Sequence, residues 1–150
     1  MLAIVRPDSW NLPLFLHVLG AVVLFGATAA VAIAGFAARR WPNQAPLLSR
    51  LVVRMWLLVI VPSWILMRIA AEWILGKEFP DGVKTPGWVD VGFFVSEGGA
   101  VLLLALGILL WLSARRQGAG RAGAVAPWLA LVYVVALGVA MFSMSAKPGT

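Results

Sequence analysis

The sequence predicts an all-α fold, an integral membrane antiparallel four-helix bundle, and three observations carry that prediction. First, the 150 residues are 62% hydrophobic and only 12% charged, whereas globular domains average about 45–50% apolar and about 25% charged. A chain this short needs no such excess to build one core, so the surplus points to surface that faces lipid. Second, four apolar runs each approach or exceed the roughly 20 residues that a helix needs to cross a bilayer. Third, the basic residues collect in the short connections between those runs. A net charge of +6 would suit nucleic acid on a soluble face, but in such connections it reads as topology, and no nucleic-acid partner is expected.

The runs fall at about 12–38, 51–75, 89–113 and 124–146, within a single four-span domain covering 1–150. The first is too long for the apolar core of a signal peptide, although "ATAAVA" offers small residues that could mimic a cleavage site, and it reads as a retained span. The second contains Pro62, which removes a backbone hydrogen bond and predicts a kink before Arg68. The third opens near Asp90 and carries Glu97, and the fourth carries Tyr133. None alternates with period two, and an open sheet in lipid would leave backbone groups unsatisfied, so strands are not expected. The connections "RRWPNQAPLLSR", "GKEFPDGVKTPGW" and "RRQGAGRAG" are punctuated by Pro and Gly, as helix ends require.

Orientation follows from charge. Arg39, Arg40, Arg50 and Arg54 flank the first connection and Arg115, Arg116 and Arg121 the third, while Lys77 and Lys84 in the second are offset by Glu78 and Asp81. The positive-inside rule puts the first and third connections in the cytoplasm, giving a plasma-membrane protein with both termini extracytoplasmic. Tryptophans agree: Trp10, Trp73 and Trp88 fall at the outer boundary, Trp41, Trp56, Trp111 and Trp128 near the inner one, and Trp64 near the middle.

All six acids, together with His17 and Arg68, then lie in the outer half or beyond it. At 1.5 Å of rise per residue, Glu97 and Arg68 lie roughly 6–8 Å above the midplane. In "WILMRIAAEWILGKE" Arg68 and Glu72 share a helix face, but with the acid after the base, the weaker order for such a pair. A partner on another helix is therefore expected, and Glu97 at matching depth is the first choice. Such a set is either a structural clamp or a ligand or proton site; ionisable groups in lipid cost about 2.5–3.5 kcal/mol each on insertion scales, which weighs against an idle set of three. The predicted polar pocket is lined by His17, Arg68, Glu72 and Glu97, with Tyr133, Met141 and Met144 closing it.

His17 lies above Ala21, Leu24 and Thr28 on one helical stripe, with Gly20 beside it, where small residues admit a neighbouring helix or a flat ligand. Tyr133, Leu137, Met141 and Met144 form a stripe on the last span. A histidine and a methionine on facing helices could ligate haem iron, and a thioether could hold Cu(I). The plainer alternative is that His17 hydrogen-bonds a neighbour and the methionines fill space. No cysteine is present, which excludes disulfides and thiolate sites, and no nucleophile triad, phosphate loop or paired-carboxylate hydrolase pattern occurs, so the sequence points away from an enzyme.

On "FLHVLGAVVLFGATA" the chain resembles small bacterial four-helix integral membrane proteins of uncharacterised function, which are distantly similar to the copper-resistance D-like membrane proteins; "MFSMSAKPG" resembles the tail of the same uncharacterised group. The resemblance implies four spans, and carries over one position, His17, which in the wider set is associated with haem b, as in the membrane-bound protoporphyrinogen oxidase, or with copper handling. The absence of a second histidine departs from a bis-histidine haem site. Three roles are expected of a protein embedded in the lipid bilayer: a component that binds a small ligand or partner through this pocket, a haem or copper protein using His17, and a small transporter or homo-oligomeric or membrane-complex subunit.

Overall fold

The computed structural model describes residues 8–78 and 86–146, and the expectations for Asp81 and Lys84 lie outside that range. A single turn at Asp8–Trp10 leads into α1 (Asn11–Arg40). After α2 (Ala45–Met55) a π-helical turn (Trp56–Ile60) runs directly into α3 (Val61–Glu78), and α4 (Gly87–Arg115) and α5 (Arg121–Ala146) follow. Counting α2 through α3 as one rod, four helices are long and apolar enough to cross a membrane, and no strand occurs among the described residues. The fold is all-α.

Local chemistry sets the boundaries. Pro42 follows α1 and forces Trp41 out of the helical region (φ −123°, ψ 80°), and Pro46 sits in the first turn of α2, where its missing N–H costs nothing. Pro86, with extended backbone (φ −66°, ψ 150°), precedes α4. At the other end of α4 the Gly118 amide donates to the Ser113 carbonyl (2.8 Å) and the Gln117 amide to the Ala114 carbonyl (3.1 Å), the paired bonds of a Schellman cap. Gln117 carries the left-handed conformation itself (φ 54°). Glycine there should relieve that strain, partly offset by its greater unfolded-state freedom, so Gln117→Gly is expected to raise stability by about 0.5 kcal/mol in a denaturant titration.

The disruption predicted at Pro62 takes a specific form. A proline inside a helix lacks its own N–H and collides with the carbonyl four residues back. Here the turn ahead of it widens, and the Val61 amide bonds the Trp56 carbonyl five residues back. One extra residue is thereby taken up, and the rod continues.

Around the bundle α1 packs on α2 and α3 on one side and on α5 on the other, while α4 packs on α5 and on α2. The remaining neighbours, α3 and α4, scarcely approach each other. The second and third rods are thus close at the arginine-rich end and part toward the end where α3 stops and α4 starts. Side chains of the second rod span the gap: Trp56 donates its indole N–H to the Leu103 carbonyl (3.0 Å) and Trp64 to the Ser96 carbonyl (3.2 Å). Trp56 needs Gly107, because a Cβ there would lie 2.3 Å from its ring.

The interior is narrow and built from Leu24, Val31, Ile60, Met67, Leu106 and Leu137 with intervening alanines. The outside is as apolar as the inside. Phe15, Ile33, Leu58, Phe94, Val101 and Phe142 are 62–79% exposed, far more contiguous apolar surface than a water-facing monomer tolerates.

Candidate functional site

The parting of α3 from α4 leaves a cavity of about 420 Å³ at that end of the bundle, walled by α1, α3, α4 and α5. Most of its wall is apolar, including Leu14, Val18, Val22, Ile74 and Phe93. His17, Arg68, Ser96 and Glu78 supply polar groups, and Met141 and Met144 close the side formed by α5. Glycine at position 92 makes room for Met144, whose methyl would lie 2.0 Å from a Cβ there.

His17 is fixed by its neighbour helix. Its Nδ1–H donates to the backbone carbonyl of Met67 (3.1 Å), which leaves Nε2 as the nitrogen carrying a lone pair. The contact exists because Gly20 lets α1 lie directly on α3: a Cβ at that position would sit 2.9 Å from the Met67 amide nitrogen.

Arg68 reaches from α3 toward α4. It forms an ion pair with Glu72 one turn on, lies 3.6 Å from a Glu97 oxygen, and stacks its guanidinium 4.7 Å over the Phe93 ring. The cross-helix partner expected from depth is present, and the helical pair forms as well despite its weaker order. The three charges are unequally placed. The Arg68 side chain is 22% exposed, against 52% for Glu72 and 69% for Glu97. Both carboxylates hold Arg68 from the outer side of the α3–α4 gap and neither lines the cavity.

Tyr133 is also absent from the lining. It is buried to 1% exposure on α5, its ring and hydroxyl against Gly99 of α4, where a Cβ would lie 2.6 Å from the oxygen. Gly99 is one turn along α4 from Ser96, so the phenol lies beneath the cavity rather than in its wall. Of the predicted site residues, His17, Arg68, Met141 and Met144 share the cavity, Glu72 and Glu97 flank it, and Tyr133 underlies it.

Sequence reasoning did not single out Ser96 or Phe93. The available signal was the small-residue stripe Gly92, Ser96, Gly99 and Gly107 on the buried face of α4, which marks where bulky side chains of the π-helical turn, α3 and α5 would insert. Among the described residues no group of three His, Cys, Asp or Glu side chains gathers as a metal site. No family model, no curated protein and no solved structure matches this chain.

Proposed function

We propose that this is a multi-pass plasma-membrane protein, both termini extracytoplasmic, that binds a small lipophilic molecule without transforming it. The cavity carries this reading. Its volume of about 420 Å³ falls in the range of ligand sites, which are typically apolar with a few polar groups that orient the guest. The gap between α3 and α4 would give such a molecule a lateral route from the acyl chains. The orientation rests on seven arginines at the opposite end, Arg39, Arg40, Arg50, Arg54, Arg115, Arg116 and Arg121.

Filling the space tests the proposal. Ala71→Phe and Ala21→Phe add bulk to the α3 and α1 walls. Native mass spectrometry of the wild-type protein from detergent should show a bound small molecule that both variants lose while keeping the wild-type melting temperature. A wild-type protein free of adducts, or filled variants that keep theirs, would refute a binding role.

A second reading is favoured by one observation. His17 presents Nε2 with Nδ1 already committed to a carbonyl, the arrangement that orients a metal-ligating imidazole, and Met141 and Met144 share its cavity. One imidazole with thioethers is a donor set for haem iron or Cu(I), in keeping with the resemblance to copper-resistance D-like proteins. A Soret band or stoichiometric copper that disappears in His17→Ala is the expected result under this reading, and colourless, copper-free protein loaded with neither would end it.

A further inference from the structure

We infer that the cavity takes an uncharged lipophile whose polar end is a carbonyl oxygen, held by the hydroxyl of Ser96. This rests on the binding role proposed above and names the class of guest. The first support is an unpartnered hydroxyl: Ser96 lines the cavity at 8% exposure, and its side-chain oxygen has no hydrogen-bond partner among the described residues. Two other helical hydroxyls are satisfied by their own helix. Thr28 and Ser145 return theirs to the carbonyl four residues back, at 2.7 and 2.8 Å. Buried polar groups are almost always satisfied, so one left open in the cavity wall points to an acceptor supplied from outside the chain. A carbonyl oxygen is such an acceptor.

Charge supports the same class. Arg68 is the cation nearest the cavity, and it already faces two carboxylates, giving the trio a formal charge of −1. Glu78 adds another acid to the wall. An anionic head would meet net repulsion. A cationic head would find Glu72 and Glu97 outside the lining and Glu78 only at the last residue of α3, away from the hydroxyl at depth. His17 does not compete for the guest's oxygen as a donor, because its N–H is held by Met67.

Four probes of similar chain length separate the alternatives: 2-undecanone, undecane, decanoate and decylamine, titrated calorimetrically into protein in phosphatidylcholine nanodiscs with empty nanodiscs as blank. The ketone should bind about fivefold or more tighter than undecane, reflecting one hydrogen bond, and tighter than either ion. Ser96→Ala should weaken the ketone about fivefold and leave undecane unchanged, whereas Tyr133→Phe, outside the lining, should leave both affinities unchanged. Tyr133→Phe should also raise the melting temperature of the empty protein, since it removes an unsatisfied buried hydroxyl. Equal binding of ketone and undecane, preference for an ion, or no effect of Ser96→Ala would overturn the assignment. If Ala71→Phe still displaces a bound molecule, that result refutes only the carbonyl assignment. If no probe binds and no adduct is found, both readings fall.

Discussion

Arg68→Leu is expected to be the most damaging single substitution in the chain, with a loss of about 3 kcal/mol or more in a detergent-unfolding titration. The magnitude comes from what is left behind. Glu72 and Glu97 both face the same guanidinium, and without it two carboxylates repel each other beside a low-dielectric medium. The Phe93 ring also loses the cation stacked on it. Neutralising the whole set separates the origin of the loss. The triple variant Arg68→Leu/Glu72→Gln/Glu97→Gln strands no charge and should cost less than half as much, because removing an ionic group entire is far milder than orphaning one partner. Equal losses in the single and triple variants would show that Arg68 acts through packing alone.

Gly20→Ala should be the next most costly change, at about 1–3 kcal/mol, although it adds only one carbon. The added carbon would lie 2.9–3.0 Å from backbone and Cβ atoms of Met67. Main-chain atoms in a helix have no rotamer to adopt, so the two helices must separate, and the imidazole–carbonyl bond between His17 and Met67 (3.1 Å) stretches with them. Gly26→Ala on the same helix is the internal control. A Cβ there meets nothing within 4 Å, so it should be neutral or stabilising by up to about 1 kcal/mol through helix propensity. Parallel denaturation of the two variants checks the contrast, and a Gly20→Ala protein as stable as Gly26→Ala would contradict the close approach.

The four rods were legible in the sequence because apolar length is a one-dimensional property. The Arg68–Glu97 contact was legible for a related reason: a charge in an apolar run must find a partner, and depth along each span limits the candidates. Which way the carboxylates point was not legible. Glu72 and Glu97 stay outside the cavity because α3 and α4 part at that end, and no local pattern announces a separation between two helices. The lone hydroxyl of Ser96 was equally hidden, since a serine on a helix ordinarily bonds its own backbone. Tyr133 stood out as the only tyrosine, but its depth relative to the cavity depends on Gly99, whose role appears only when α5 is laid against α4.

The wide turn at Trp56–Ile60 has a consequence for phase. Each residue advances an α-helix by about 100°, so an additional residue absorbed ahead of Pro62 offsets the azimuth of everything beyond it. The second rod is in effect two helices sharing an axis but not a clock face, which is why one apolar stripe cannot be traced along its length. Excising a single residue between 56 and 60 should let that turn close to ordinary α-helix with Arg68 still at the α3–α4 gap and Met67 still on His17, whereas a deletion between 63 and 66, where no surplus residue is stored, should swing both away and dismantle the cavity's wall.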